Sequence, residues 1–378
     1  MDQTLLDTLT TWRRHLHAHP EVSLQEQETA RFVCARLAEL GIPFEAGIGG
    51  HGVVATLHRG GSNRAVGLRA DMDALPIAEA TGLPYASTSP GVMHACGHDG
   101  HTTSLLGAAA LLARDPGWTG TVHFVFQPAE EGSGGALAML ADGLLARFPM
   151  ERIFGYHNWP GLPPGTVAVH DGPVMAAGAR LALEVRGRSG HAALPHETRD
   201  PMIAAAHLLL ALQSIVSRET SPLDSAVISI ATMEAGSAAN QISDRALMRG
   251  TMRTLREPVR EATEAALHRM AEGVGRTFGV EIDVTIRRGV TVTANRPQDA
   301  ALAAEAAAGA GLAVRRDLAP AMTGEDFGWF LQEIPGAFVW IGNGDGPGLH
   351  NAGYDYNDAI LPAASGFLAA TARRALGG

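Results

Sequence analysis

Thr121-Val122-His123-Phe124-Val125-Phe126, running into Gln127-Pro128-Ala129-Glu130-Glu131-Gly132, is the stretch on which the fold turns. Six β-branched, aromatic or ring-bearing residues in a row, closed by Pro and Gly, read as a buried strand that ends in a loop. Helical periodicity lies on both sides of it, over 102–112 and 135–145, and a second buried strand follows over 152–156. Upstream, 5–17 and 24–40 read as helices and 53–57 and 65–68 as strands. Pro20 lies just past the first helix, and Ser23 with Glu26 three residues on has the form of a capping box for the second. This alternation predicts an α/β layered sheet. Gly47-Ile48-Gly49-Gly50-His51-Gly52 matches a dinucleotide fingerprint in letters, but a strand-like run follows it where a helix is required, so it reads as a glycine turn.

The texture changes around 172–179. Strands over 181–185, 226–231, 246–253 and 280–286 alternate with long helices over 201–216 and 257–278. The order β-α-β-β-α-β is that of a ferredoxin-like unit, placed here as an inserted domain over 178–290. Helices over 300–310, 325–331 and 359–375 and a strand over 337–341 should rejoin the first domain, which then comprises 1–177 and 291–378. A chain of 378 residues has the length for two domains.

Composition narrows the function classes. The formal net charge of −10, with no cluster of Lys and Arg, argues against a nucleic-acid partner. Hydropathy suggests no apolar run long enough to span a bilayer, so no membrane partner is expected. The polar start around Trp12-Arg13-Arg14-His15 does not resemble a signal peptide, and a cytoplasmic location is expected. Cys34 and Cys96 are too few for a disulfide framework, which fits a reducing compartment. Cys34 sits in an amphipathic pattern and reads as inert core.

Cys96 has different neighbours. His94-Ala95-Cys96-Gly97-His98-Asp99-Gly100-His101 concentrates a thiol and imidazoles within a few residues, with glycines that allow a tight fold. A polar helix start capped by Asp99 would explain Asp99 but not the thiol and imidazoles together. In Glu130-Glu131, adjacent side chains diverge on a loop, so one carboxylate can ligate metal while the other serves as a base. Alone, the pair would read as a solvated acidic turn. His157 in Tyr156-His157-Asn158-Trp159-Pro160 and His350 in Leu349-His350-Asn351-Ala352-Gly353-Tyr354 would each be unremarked by themselves. Asp71 and Asp73, in Arg69-Ala70-Asp71-Met72-Asp73, could orient ligating histidines or cap a turn.

Taken in order, Asp-Met-Asp, Cys-Gly-His-Asp-Gly-His, Pro-Ala-Glu-Glu-Gly, His-Asn-Trp-Pro, Gly-His-Ala-Ala-Leu-Pro-His and Leu-His-Asn-Ala-Gly-Tyr resemble the M20 metallopeptidases. The likeness is strongest to the amidohydrolase branch with hippurate hydrolases, N-acyl-amino-acid amidohydrolases and auxin-conjugate hydrolases. It runs from Arg13-Arg14-His15-Leu16-His17 to the last helix.

The resemblance implies a mixed α/β, zinc-peptidase-like catalytic domain interrupted by a ferredoxin-like dimerisation or lid domain, and a homodimer or higher homo-oligomer. It implies two divalent metal ions per subunit, Zn, Mn, Co or Ni, with Cys96, His98, Glu131, His157 and His350 as ligands and Cys96 bridging. Glu130 matches the general base, and His101 supports the site without binding metal. His191 matches an oxyanion-stabilising residue and Asn240 a substrate contact. Arg253 is a candidate for the substrate carboxylate on chemistry alone, since Arg suits a bidentate contact, although a strand-end Arg usually reads as solvated. The expected reaction is hydrolysis of the amide bond of N-acyl amino acids or similar small conjugates. A dipeptidase or carboxypeptidase of the same fold, or a non-catalytic metal-binding protein, are the alternatives. Departures from the pattern at Gly178-Ala179, Ser243 and Thr323 touch no implied ligand and bear on substrate choice and loop geometry.

Overall fold

The strand expected at 121–126 runs over Gly120–Gln127, with its last six residues buried. In the computed structural model, which describes residues 1–132 and 134–377, it belongs to an eight-stranded sheet. The spatial order is Phe44–Ile48, Gly52–Arg59, Gly120–Gln127, Ala65–Asp71, Arg152–Pro160, Gly336–Gly344, Thr166–Ala168, Ala313–Arg315. The four strands from Gly120–Gln127 to Gly336–Gly344 are parallel to one another. Parallel strands are covered on both faces, which is why these segments read as unbroken apolar runs. Leu9, Leu105, Leu106, Phe124, Phe154, Phe367 and Leu368 lie in the core between sheet and helices. The glycine-rich run at 47–52 is the turn between the first two strands, which pair antiparallel.

Contact density divides the chain into one unit of Met1–Val174, Thr293–Ala319 and Asp326–Gly378 and another of Met175–Val292 and Pro320–Glu325. The second unit has a four-stranded antiparallel sheet in the order Ala226–Ala235, Arg245–Thr254, Ala177–Arg186, Glu281–Arg288. That is the ferredoxin-like arrangement. Pro201–Ser214 and Glu257–Phe278 pack on it through Ala204, Leu208, Leu212, Leu267 and Ala271. Pro320–Glu325 joins this unit because Ala176 N–H donates to the Thr323 carbonyl at 2.8 Å.

Several expectations need correction. The second helix begins at Gln27, not 24, and receives no cap from Ser23. The Glu21 carboxylate instead accepts from Thr29 N and Thr29 Oγ1, at 2.8 and 2.9 Å. The helix expected over 135–145 breaks into Gly135–Ala141 and Leu144–Arg147, because Gly143 takes a left-handed φ of 82°. The helix expected from 325 starts at Gly328. Cys34 is half-buried and packs against the edge of the core. Pro201–Ser214 continues through a wider π turn, and Pro201–Glu219 is a 19-residue helix long and apolar enough, by length and composition, to cross a membrane.

Candidate metal centre

Because the central strands are parallel, their carboxyl ends meet along one edge, where α/β sheets collect their functional groups. Asp71 ends Ala65–Asp71, with Asp73 two residues on. Glu130 and Glu131 follow Gly120–Gln127, and His157 lies near the end of Arg152–Pro160. Gly336–Gly344 leads into the loop that carries His350. Cys96 and His98 stand at the start of the helix His98–Arg114, whose N-cap is Gly97 at φ 90°. A Cβ on Gly97 would sit 2.3 Å from Asn158 Oδ1, and one on Gly100 would sit 2.2 Å from the Tyr356 ring. Glycine is what lets this helix start approach the strand ends.

The donor atoms fall into groups close enough to share an ion. Those of Cys96, His98 and His157 lie within 4.8 Å of one another, as do those of Cys96, Glu131 and His350, and those of His98, Glu130 and Glu131. Cys96 is common to the first two groups. Its Sγ is 3.3 Å from His157 Nε2. Glu131 Oε1 lies 3.2 Å from His350 Nε2, without the alignment of a hydrogen bond. His350 holds a left-handed φ of 61°, and its N–H donates to the Ala95 carbonyl at 2.8 Å.

Hydrogen bonds fix which ring nitrogens face the cluster. His98 Nδ1 donates to the Asp73 carbonyl at 2.8 Å, and His157 Nδ1 to the Asn158 carbonyl at 2.7 Å. A carbonyl only accepts, so in each neutral ring Nε2 carries the lone pair. His98 Nε2 is buried and has no hydrogen-bond partner among the described residues. His101 differs. Its Nδ1 meets Asp71 Oδ1 at 2.6 Å, and its Nε2 meets Asn158 through both Oδ1 and the backbone N–H. Both nitrogens are engaged by protein, which leaves the ring as a brace between two strands.

The electrostatics suit divalent cations. Burial, then the nearby Glu131, Glu130 and Asp71 carboxylates, push the Cys96 thiol well above its ordinary pKa, so a thiolate here requires a cation beside it. Burial and the neighbouring His101 hold His157 well below its ordinary value, in the neutral form that ligates. Burial opposes charge on His98, but Asp71 and Asp73 outweigh it and push its pKa up to about 10. A metal at its Nε2 therefore displaces a proton. An orphaned imidazole nitrogen, a sulfur shared between two donor groups and converging carboxylates fit a pair of ions.

The surrounding shell is dense. Asp73 accepts from Glu130 N at 3.0 Å, Glu131 N at 2.9 Å and Ser23 Oγ at 2.6 Å. Asp326 N–H donates to Glu130 Oε1 at 3.2 Å, while the Asp326 carboxylate accepts from Gln127 Nε2, Arg69 Nη2 and Ala136 N. Asp99 is not the N-cap residue, which is Gly97, but its Oδ1 accepts from Gly100 N in the first turn at 2.9 Å. It accepts from His17 Nδ1 at 2.7 Å, and Arg13 reaches Asp355 at 2.8 Å and Asp358 at 2.5 Å, on the loop after His350. Asn158, Tyr354, Gln127, Asp326, Ser23 and Glu26 were not identified as site residues from sequence. Gln127, Asn158 and Tyr354 lie inside the quoted motifs, and that placement is the local signal for them.

His191, Asn240 and Arg253 lie in the second unit. His191 is exposed in a two-residue strand paired with Gln241–Ile242, and its Nδ1 accepts from Ala193 N at 3.1 Å. The Asn240 carbonyl accepts from Ala192 N at 3.0 Å. Arg253 is half-buried, with burial lowering its pKa, and has no hydrogen bond or ion pair among the described residues. A Cβ on Gly178 would lie 3.0 Å from its Nη1.

The model of Peptidase family M20/M25/M40 matches residues 67–374. The chain is 40% identical to the hippurate hydrolase of Campylobacter jejuni over 374 residues, covering 96% of this chain and 95% of that one. It is also 40% identical to the N-acetyl-L-cysteine deacetylase of Bacillus subtilis, over 99% of this chain and 89% of that one. Among solved structures, the YXEP protein of Bacillus subtilis, a dinuclear metal binding peptidase from the M20 family, superposes with a TM-score of 0.90 at 36% identity, covering 99% of both chains.

Proposed function

This chain belongs to peptidase family M20/M25/M40, and from that premise we propose that it hydrolyses the amide bond of small N-acyl amino acids. One observation carries the reading: Cys96 is shared by two donor groups, one with His98 and His157, the other with Glu131 and His350, and Glu130 is the chain neighbour of Glu131. These five ligands would hold two divalent ions. Ions bound there supply Lewis acidity toward a carbonyl and make water acidic near neutral pH.

Glu130 takes the proton of the attacking water on its carboxylate and returns it to the leaving amine nitrogen, acting first as base and then as acid. The Asp326 N–H holds Glu130 Oε1 in place for both transfers. His191 is assigned the oxyanion from the family resemblance. The Ala193 N–H on Nδ1 supports this, because it puts the proton of the neutral ring on Nε2, where it can be donated. Arg253 takes the substrate carboxylate, supported by a half-buried guanidinium with no acidic partner among the described residues. Asn240 contacts the substrate amide.

The second unit pairs with a second copy of this chain. Met202, Ile203 and Leu210, at 45, 49 and 70% exposure, form an apolar stripe along one helix beside the edge strand Ala226–Ala235. A cytoplasmic location suits a centre that depends on a reduced thiol.

The test is a panel of N-acetyl and N-benzoyl amino acids against dipeptides, assayed before and after chelation, with elemental analysis of the protein. Acyl substrates should be cleaved preferentially, and chelation should abolish turnover. Preferential cleavage of dipeptides would overturn the reading.

A further inference from the structure

Ser23 and Glu26 have the spacing of a helix cap, yet neither side chain serves the helix that follows. Ser23 Oγ donates to Asp73 Oδ2. Glu26 is fully buried, and its Oε1 accepts two backbone N–H groups, from Leu24 at 3.0 Å and from Ala129 at 2.8 Å. Three non-glycine residues among those described take left-handed φ angles: Leu24 at 69°, Ala129 at 55° and His350 at 61°. Two of the three therefore give their N–H to the same oxygen. Left-handed backbone is disfavoured for any residue with a Cβ and persists where its surroundings over-determine it.

Ala129 immediately precedes Glu130 and Glu131. The N–H groups of 129, 130 and 131 are thus held in succession, the first by Glu26 and the next two by Asp73. Ser23 ties the Glu26 segment to Asp73. Among the described residues Glu26 makes no ion pair with any cation, so charge neutralisation does not account for its burial.

We propose that Glu26 is a positioning residue for Glu130 and Glu131, clamping Ala129 in the left-handed turn that sets the direction in which the two carboxylates leave the strand Gly120–Gln127. The inference rests on the reading of Glu130 as the base and Glu131 as a ligand. The clamp itself is separable from that reading, because it is a statement about the backbone of 129–131.

The experiment compares Glu26→Ala, Glu26→Gln, Ala129→Gly and the double variant Glu26→Ala/Ala129→Gly in the metal-loaded full chain. Glu26→Ala should lower kcat about 10- to 100-fold, the scale on which a misplaced catalytic group costs rate, and change KM far less. Glu26→Gln keeps the oxygen acceptor and should stay within about threefold of the parent, by the same reasoning. Glycine adopts the left-handed conformation readily, so Ala129→Gly should restore part of the kcat lost in Glu26→Ala. Hydrogen exchange, read with and without metal, should show faster exchange at 129–131 in Glu26→Ala while other segments keep their protection. Unchanged exchange at 129–131, or a kcat loss that glycine at 129 does not relieve, would overturn the clamp. Should Glu130 not be the base, kcat would be insensitive to Glu26 while the exchange change persisted.

Discussion

Asp71 Oδ1 accepts a hydrogen bond from His101 Nδ1 at 2.6 Å, joining the end of one parallel strand to the first turn of the helix that begins at His98. The other His101 nitrogen is engaged by Asn158. This makes His101 a brace, while His98, with its buried Nε2 lacking a partner among the described residues, is the proposed ligand. Asp71→Asn should therefore weaken metal binding about 10- to 100-fold. His98→Ala should abolish binding of at least one ion. Competition with a chromogenic chelator distinguishes the two, and equal effects would argue against the division of roles.

Glu130→Gln removes the proposed base but leaves Glu131 and the other proposed ligands intact. Metal content should match the parent by elemental analysis, while kcat should fall about 100- to 10,000-fold, the range for general acid-base catalysis. Turnover near the parent value would exclude Glu130 as the base.

Glycine substitutions should split by position. A Cβ at Gly100 would meet the Tyr356 ring at 2.2 Å, so Gly100→Ala should cost about 1–3 kcal/mol, as overpacking does. Gly366 lies inside the helix Leu361–Ala375 with nothing within 4 Å of its notional Cβ. Gly366→Ala should stabilise by about 0.5–1 kcal/mol. Denaturant midpoints moving in opposite directions would bear this out, and a loss at both positions would contradict it.

His123, in the strand Gly120–Gln127, has its pKa lowered by burial to about 4, from an ordinary 6.5. Between those values the unfolded chain binds the proton and the folded chain does not. Stability from this group is present above about pH 6.5 and is lost as pH falls toward 4, by roughly 3 kcal/mol at most. His123→Asn should flatten the acid limb of a plot of unfolding free energy against pH. An unchanged limb would assign the acid sensitivity elsewhere.

Leu210→Glu places a charge in the exposed apolar stripe of Pro201–Ser214. The variant should run as a monomer in light scattering at concentrations where the parent is a dimer, with its circular dichroism unchanged. A parent that is itself monomeric would refute the pairing.

The sequence was most legible where burial on both sides forced unbroken apolar runs, as in Gly120–Gln127 and Arg152–Pro160. It was least legible at edges. Phe44–Ile48 has four exposed residues out of five and carries no pattern to distinguish it from loop. The residues at 325–327 looked helical because their letters are. In the fold the Asp326 N–H goes to Glu130, so the helix begins only afterward. The metal-centre residues were visible as clusters because Cys, His and Glu are dense within single loops. Asp326, Asn158 and Tyr354 were not, since their significance lies in partners up to about two hundred positions away, such as Gln127 and Asn158 itself. Ser23 and Glu26 show the opposite failure, a recognised local pattern whose atoms serve a distant loop.

The strand Gly336–Gly344 enters the first sheet between Arg152–Pro160 and Thr166–Ala168, although Met175–Val292, which belongs to the other unit, separates it from both in sequence. During synthesis the neighbouring strands leave the ribosome with a gap between them. The sheet closes, and His350 arrives, only after Met175–Val292 has been made. A chain stopped before His350 therefore lacks one member of the donor group it forms with Cys96 and Glu131. A nonsense mutation anywhere before residue 350 should be null, however much of the remaining fold survives.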